Sequence, residues 1–139
     1  MSNDSKTVGD LNLEDEHITV GVSDTLQEAA RRLLTVPGGI LIVLGDDSKV
    51  KGVMGYKQFL IAIDKQIDTT TATCGEYMEL DFMEVSNNET LKTAMKKIRQ
   101  RTPQAVVAVD SNGEFSGYFS PSDFKKSKSL VKSLKGVKL

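Results

Sequence analysis

The chain has 139 residues, 39% of them hydrophobic and 27% charged, which is the composition of an ordinary globular protein with a buried core. A net charge of −1 excludes a protein held to nucleic acid or to a membrane by its overall field. The single Cys74 cannot form an internal disulfide, and the longest aliphatic run, residues 40–44, is too short to span a bilayer. Because the first ten residues also lack the apolar core of a secretory signal, we expect a cytoplasmic protein with no membrane span.

The first half of the chain predicts two helices and two short strands. Residues 26–34 carry the apolar stripe of an amphipathic helix, and Ser23-Asp24 supply capping chemistry just before it. The run ILIVL at residues 40–44 predicts a buried strand, and the turn sequence GDDS then leads into a second strand, VKGVMG. A closing helix is expected to begin near Tyr56. With a short extended stretch before the first helix, the order is β-α-β-β-α.

The second half repeats this pattern at a constant offset of 65 residues without a gap. Six identities fall at that offset: Val20 and Val85, Thr25 and Thr90, Leu26 and Leu91, Ala29 and Ala94, Gly52 and Gly117, Phe59 and Phe124. Asn87-Asn88 supply the predicted cap of the second copy, and its closing helix is expected near Pro121. The sequence therefore predicts a mixed α/β (α+β) fold built from two copies of one unit.

This order and duplication resemble the CBS domain, a family named for cystathionine β-synthase that occurs in tandem pairs. The motif Gly117-Tyr118-Phe119-Ser120-Pro121-Ser122-Asp123 carries the resemblance together with the T-L-x-x-A helix start, and the likeness covers roughly Asp15 to Leu130. It implies two repeats packed about a pseudo-two-fold axis. The expected divisions are an acidic tail at 1–14, the first repeat at 15–66, a linker at 67–77, the second repeat at 78–130 and a basic tail at 131–139.

The resemblance also implies an adenosine ligand, such as AMP, ADP, ATP or S-adenosylmethionine, bound between the repeats. Ser120 and Asp123 match the family's binding signature, and Tyr118 precedes them on the strand. Amides at a helix start favour a phosphate, and a carboxylate held there can accept hydrogen bonds from both ribose hydroxyls. A second interpretation stays open, because Ser-Pro-Ser-Asp is also an ordinary capped helix start.

In the first repeat the two signature positions hold Gly55 and Gln58, so we predict at most one good adenosyl site per chain. By the same resemblance, the first repeat would provide the edge against which the adenine lies, formed by His17, Gly39 and Ile40. A lone histidine in an acidic stretch is otherwise a surface side chain, and no metal site is predicted.

The segment FLIAI at residues 59–63 is apolar on every side if it is helical, and such a helix needs burial on both faces. We therefore expect a homodimer whose interface contains Phe59, Leu60 and Ile63; the alternative is a buried strand. The lysine-rich tail either extends the last helix or docks on an acidic partner. Nucleic acid is not favoured as that partner, because the tail has no aromatic residue for base stacking.

These features predict a regulatory module rather than an enzyme, since Cys74 has no nearby histidine and Ser120 has no evident base. The module would sense an adenosine metabolite, require no cofactor and modulate a separate effector protein. The alternatives are a ligand-free dimerisation or protein-interaction module, and nucleic-acid association through the lysine-rich tail.

Overall fold

The computed structural model describes the backbone of residues 6–135 and the side chains of residues 6–131. A short 3-10 helix (Val8–Asp10) comes first. The strands and α-helices that follow in chain order are β1 (His17–Gly21), α1 (Leu26–Leu33), β2 (Ile40–Leu44), β3 (Val50–Met54), α2 (Tyr56–Asp64), α3 (Cys74–Tyr77), β4 (Phe82–Ser86), α4 (Leu91–Arg101), β5 (Ala105–Val109), β6 (Phe115–Phe119) and α5 (Pro121–Lys135). The strands form two three-stranded sheets, ordered β1-β2-β3 and β4-β5-β6. The predicted fold of two β-α-β-β-α repeats is thus confirmed.

The two repeats agree in backbone details finer than the order of their elements. Each antiparallel hairpin has one register irregularity, at Val43/Leu44 in the first repeat and at Ala108/Val109 in the second, again 65 residues apart. The hairpin turns match as well, because Ser48 and Gly113 both adopt a positive φ, of 64° and 80°. The duplication therefore extends to backbone features that residue identities alone do not reveal.

The helices after β1 and β4 begin at residues other than the predicted caps. Thr25 and Thr90 are the N-caps, and the hydroxyl of each accepts a hydrogen bond of 3.2 Å from the amide three residues on. The prediction of Ser23-Asp24 and Asn87-Asn88 was wrong. Several cap-forming residues stand in a row here, and the composition does not show which one has the extended backbone of a cap.

The chain divides into two compact units whose boundaries differ from those expected. Residues 16–82 form the first-repeat unit, and residues 83–135 together with residues 6–15 form the second-repeat unit. Val8 and Leu13, which lie in the segment expected to be an acidic tail, are buried in the core of the second-repeat unit. Cys74, expected in a linker, is buried in the core of the first-repeat unit. Gly9, Asp10 and Asn12 interrupt the apolar residues from Val8 to Leu13, so the sequence shows no clear apolar pattern there.

Each unit also includes a short segment that precedes a repeat in the sequence, called a leading segment here. The two leading segments begin T-V-G-D-L and T-C-G-E-Y. The alignment of the two repeats missed this similarity because its offset is 66 residues rather than 65. The two leading segments are residues 7–13 and residues 73–79. They make equivalent backbone bonds to the turn before the repeat's first helix: the Val8 amide donates to the Glu89 carbonyl at 2.9 Å, and the Cys74 amide donates to the Asp24 carbonyl at 2.8 Å.

This packing explains the glycine that both repeats share. Gly117 lies on the edge strand β6, and a Cβ there would come within 2.6 Å of the Cβ of Leu13. Gly52 lies on the edge strand β3, where a Cβ would come within 2.6 Å of the Cγ of Met78. A leading segment can approach either edge strand this closely only because that position has no side chain.

The last helix runs on into the basic tail as far as Lys135, in agreement with the simpler of the two interpretations of that tail; residues 136–139 lie outside the described part. Among residues 6–135, no helix has both the length and the hydropathy needed to cross a membrane.

Ser127 provides a test of the core of the second-repeat unit. It is fully buried in α5, and its hydroxyl has no hydrogen-bond partner among the side chains and backbone that the structure describes. The equivalent residue of the first repeat is the buried Ala62. We expect Ser127→Ala to raise the free energy of unfolding by about 1 kcal/mol, because an unpaired buried hydroxyl is costly and alanine favours helix. Ala62→Ser should lower it by a similar amount. Urea denaturation measures both changes, and a less stable Ser127→Ala variant would contradict this assignment.

Candidate functional site

Strand β6 ends at Phe119 and brings Ser120 to the first turn of α5, where Ser120 and Asp123 are only 1% and 6% exposed. Oδ2 of Asp123 accepts hydrogen bonds from the amide of Ser120 at 3.0 Å and from its hydroxyl at 2.9 Å. The amide of Asp123 in turn donates to Oγ of Ser120 at 3.1 Å. The two residues therefore cap each other in a reciprocal capping box.

The cap holds a buried carboxylate at the positive end of the α5 dipole, where negative charge is stabilised. Pro121 occupies the first helical position, and its ring suits the backbone angle there. None of the three bonds of the cap uses Oδ1 of Asp123. An ionised carboxylate can accept about four hydrogen bonds, so the Asp123 side chain can both cap the helix and accept from a ligand hydroxyl.

The first repeat keeps the cap but changes its chemistry. The amide of Gly55 donates to Oε1 of Gln58 at 2.8 Å, which reproduces the bond from Ser120 to Asp123 at an offset of 65 residues. A neutral amide oxygen replaces the carboxylate there, and Gly55 has no hydroxyl. Since charge-assisted hydrogen bonds are roughly twice as strong as neutral ones, the two helix starts differ in what they can bind although their backbones agree.

A cavity of about 250 Å³ lies beside the Ser120 cap, within the second-repeat unit. Its walls come from α4, the loop before β5, the start of β5, the end of β6 and the first turn of α5. The lining residues are Ile98, Pro103, Gln104, Ala105, Val106, Tyr118, Phe119, Ser120, Pro121 and Phe124. Mostly apolar walls with a few polar groups are typical of sites for small molecules.

The cavity brings Tyr118 and Ser120 together. Asp123 is not one of its lining residues and is connected to it through the hydrogen bond from Ser120. Sequence reasoning missed Pro103 and Gln104, because the loop that carries them follows no motif and joins the cavity only through the fold. The alignment of the two repeats could have indicated this loop, because Gln104 is equivalent to Gly39, which was predicted to contact adenine.

The residues expected to hold adenine lie together at one end of the sheet in the first-repeat unit. His17 is the register partner of Ile40 in the parallel pair β1 and β2. The amide of Ile40 donates to the carbonyl of Glu16 at 3.1 Å, and a Cβ on Gly39 would come within 2.6 Å of that same oxygen. The position therefore requires glycine for close backbone approach. The role of these three residues toward adenine stays a prediction.

Cys74 is placed where nucleophilic chemistry is disfavoured. Its side chain is fully buried, and this burial raises the pKa of the thiol to about 11. The carbonyl of Thr25 is its hydrogen-bond acceptor, at 4.0 Å from the sulfur. Because the thiolate is the reactive form, a buried thiol with a raised pKa is a poor nucleophile near neutral pH.

We expect iodoacetamide to alkylate Cys74 in the folded protein roughly a hundredfold more slowly than in concentrated urea at the same pH, because unfolding restores both access and the ordinary thiol pKa. Mass spectrometry of samples quenched over time measures both rates. Equal rates in the folded and unfolded chain would contradict the burial of this side chain.

Comparison with known proteins finds a family match for part of the chain and solved structures with the same fold. Residues 74–129 match the family model of the CBS domain. A CBS domain protein from Pyrobaculum aerophilum complexed with AMP has a TM-score of 0.73 at 20% identity, covering 94% of this chain and 98% of that one. CBSX2 in complex with AMP has a TM-score of 0.68 at 21% identity, covering 91% and 98%. A CBS domain-containing protein of unknown function from Bacillus anthracis str. Ames Ancestor has a TM-score of 0.75 at 15% identity, covering 92% and 96%. No curated protein matches the sequence.

The second repeat therefore matches a CBS domain, and the whole chain shares the fold of the solved CBS-domain proteins. The family model covers the second repeat, and the structural likeness extends the same fold over the first. The family match begins at Cys74, inside the leading segment that packs in the first-repeat unit. The boundaries of a repeat in the sequence therefore differ from those of a compact unit in the structure by the length of one leading segment.

Proposed function

We propose that this chain is a regulatory module that binds an adenine nucleotide in its second repeat. The observation that carries the proposal is the buried Asp123 carboxylate at the start of α5, hydrogen-bonded to a serine that lines an apolar cavity. Two solved structures with the same fold are described as AMP complexes, which supports this class of ligand.

Each group of the site has a distinct part in the proposal. Oδ1 of Asp123 accepts hydrogen bonds from the ribose hydroxyls, while Oδ2 continues to cap the helix. The start of α5 favours the phosphate through its dipole and its first-turn amides. The apolar walls and the polar edge of Gln104 and Tyr118 receive the remainder of the nucleoside. AMP, ADP, ATP and S-adenosylmethionine all carry the adenosyl group that this arrangement would recognise.

Regulation requires more than binding, because a ligand shifts a conformational equilibrium only when its affinity differs between the two states. We propose that nucleotide occupancy changes the conformation that a separate effector protein recognises, and that the module itself catalyses no reaction. The chief rival is a module that contacts its partner without any ligand.

Asp123→Asn tests the site while preserving its cap, because an amide oxygen can still accept from Ser120 after the charge is lost. We expect the affinity for AMP to fall about tenfold, since the ribose hydroxyls lose a charge-assisted bond. Titration calorimetry measures the affinity, and urea denaturation verifies that the variant stays folded.

Gln58→Ala is the matched control, because it removes the equivalent cap from the first repeat. It should cost about 1 kcal/mol of stability and leave the affinity for AMP within about twofold of the parent. An Asp123→Asn variant that binds AMP as tightly as the parent would refute the proposed site. Absence of heat and of thermal shift with AMP, ATP and S-adenosylmethionine would favour the ligand-free module.

We further propose that the chain forms a homodimer through α2. Tyr56, Leu60 and Ile63 form an apolar stripe at i, i+4 and i+7, and the last two are 64% and 68% exposed. Phe59, which we expected at the same interface, is half-buried and packs against the core of its own unit. An exposed stripe of this kind fits a two-fold contact in which each copy covers the other.

The second repeat provides the substitutions for a test of the dimer. The positions equivalent to Leu60 and Ile63 are Lys125 and Lys128, both exposed on α5. We expect Leu60→Lys with Ile63→Lys to convert a dimer into a monomer, because lysines facing each other across the axis repel and lose the apolar contact. Sedimentation velocity over a range of concentrations measures the change.

Lys125→Gln with Lys128→Gln is the control for the dimer and should leave the mass unchanged. A parent chain that sediments as a monomer at every concentration, or a dimer that survives the two lysines on α2, would refute the contact.

A further inference from the structure

The leading segment of the second-repeat unit, residues 7–13, closes the exposed edge of β6 and is called the strap below. The carbonyl of its last residue, Leu13, accepts a hydrogen bond of 3.0 Å from the amide of Tyr118. Its other end is held to the turn before α4, where the amide of Gly9 donates to the carbonyl of Asn87 at 3.0 Å. The strap therefore contacts the unit at two places, one of them on the strand that leads into the nucleotide site.

Along the chain, the strap is distant from the unit on which it packs. Residues 16–82, the whole first-repeat unit, separate it from residues 83–135, whereas residues 73–79 directly continue the unit that they close. Because the strap is not a strand of the sheet β4-β5-β6, its detachment would break no hydrogen bond between those strands. Such an opening would be local, and it would release a segment ordered by a long loop closure.

The seam between the strap and the unit is partly polar. A cavity of about 160 Å³ lies there, lined by residues of the strap and its continuation together with Asn87 and Ser116, whose side chains are hydrogen-bonded to each other at 2.9 Å. Val8 and Leu13 are buried on either side of this cavity. The strap is thus held by two apolar anchors and a few backbone bonds, with a gap between them that has room for water.

The strap also positions one wall of the nucleotide cavity. Tyr118 pairs with Val107 of β5 on one side and is bonded to Leu13 on the other. Tyr118 and the next two residues along the chain line the cavity, and Ser120 is capped by Asp123. Tyr118, which is bonded to Leu13, is only two residues before Ser120. A displacement of Tyr118 therefore also displaces the Ser120 cap.

We propose that the strap is a latch coupled to the nucleotide: occupancy of the cavity favours the attached strap, and release of the strap weakens nucleotide binding. This inference rests on the proposed function. Because such coupling is reciprocal, each event changes the equilibrium of the other by the same factor. The nucleotide level then sets how often residues 7–13 and the edge of β6 are exposed to an effector.

Amide hydrogen exchange of the full chain, with and without saturating AMP, tests the coupling. We expect the amides of Val8, Gly9 and Leu11 to become about tenfold more protected with AMP, because the nucleotide favours the attached strap. In the other leading segment, the amides of Cys74 and Gly75 match those of Val8 and Gly9, and the Met78 amide donates to the Cys74 carbonyl as the Leu11 amide donates to that of Val8. These amides should change by less than about twofold.

Two other results of this experiment would be informative in different ways. Strap amides that keep their exchange rates while the amides of β5 become slower would show that AMP binds without coupling, and would overturn the latch alone. Unchanged rates throughout the unit, together with no heat of binding, would overturn the proposed function and the latch with it.

A pair of glycines gives a mutational test with a matched control. A Cβ on Gly9 would lie 3.1 Å from the carbonyl oxygen of Asn87, and a Cβ on Gly75 would lie 3.1 Å from that of Val22. Gly9→Ala should therefore loosen the strap, and we expect it to accelerate strap exchange about tenfold and to weaken AMP binding about threefold or more. Gly75→Ala should leave AMP affinity within about twofold.

An unchanged affinity for AMP in a Gly9→Ala variant whose strap exchanges faster would overturn the proposal. If Gly9→Ala fails to fold, Asp10→Ala replaces it, because Asp10 caps the strap by accepting from the amide of Thr7 at 2.9 Å. Glu76→Ala is then the control, since Glu76 accepts equivalently from the amide of Thr73 at 2.9 Å.

Discussion

The edge strands β3 and β6 are each paired with one neighbouring strand only, so the backbone groups on their other side need a different partner. The fold depends on how that side is covered. A leading segment lies against each edge, bonded through the carbonyl of Glu79 in one unit and that of Leu13 in the other. Unpaired strand edges invite association with other chains, so this closure protects each unit. The glycines at 52 and 117 make the approach sterically feasible, which explains why this identity persists in repeats that otherwise share few residues.

The two repeats share this backbone but differ at the start and on the exposed face of their closing helices, α2 and α5. Both close with a helix capped by the side chain three residues on, but the capping group is a neutral amide at Gln58 and a carboxylate at Asp123. The exposed faces of those helices differ as well, because α2 presents apolar Leu60 where α5 presents Lys125. Under the proposed function, the first repeat provides the contact for self-association and the second repeat binds the nucleotide.

Each leading segment precedes one repeat in the sequence but packs in the compact unit of the other repeat. In sequence, the CBS match includes the segment that begins at Cys74, whereas in space that segment belongs to the core of the preceding repeat. The segment containing Val8 stands in the same relation to the second-repeat unit, with all of residues 16–82 between them. We propose that this segment detaches while the sheet β4-β5-β6 persists, which would expose it to a partner.

The sequence by itself determined the elements, the duplication and the position of the Ser120–Asp123 motif, because side-chain periodicity and cap chemistry are local properties that a linear pattern records. Where its local signals were ambiguous it failed, as at Thr25, which lies in a row of residues able to cap. Only the tertiary structure decided that Leu13 closes β6 and that Gln104 lines the cavity. Backbone bonds between distant segments can be made by almost any residue, so their partners leave no periodic trace in the chain.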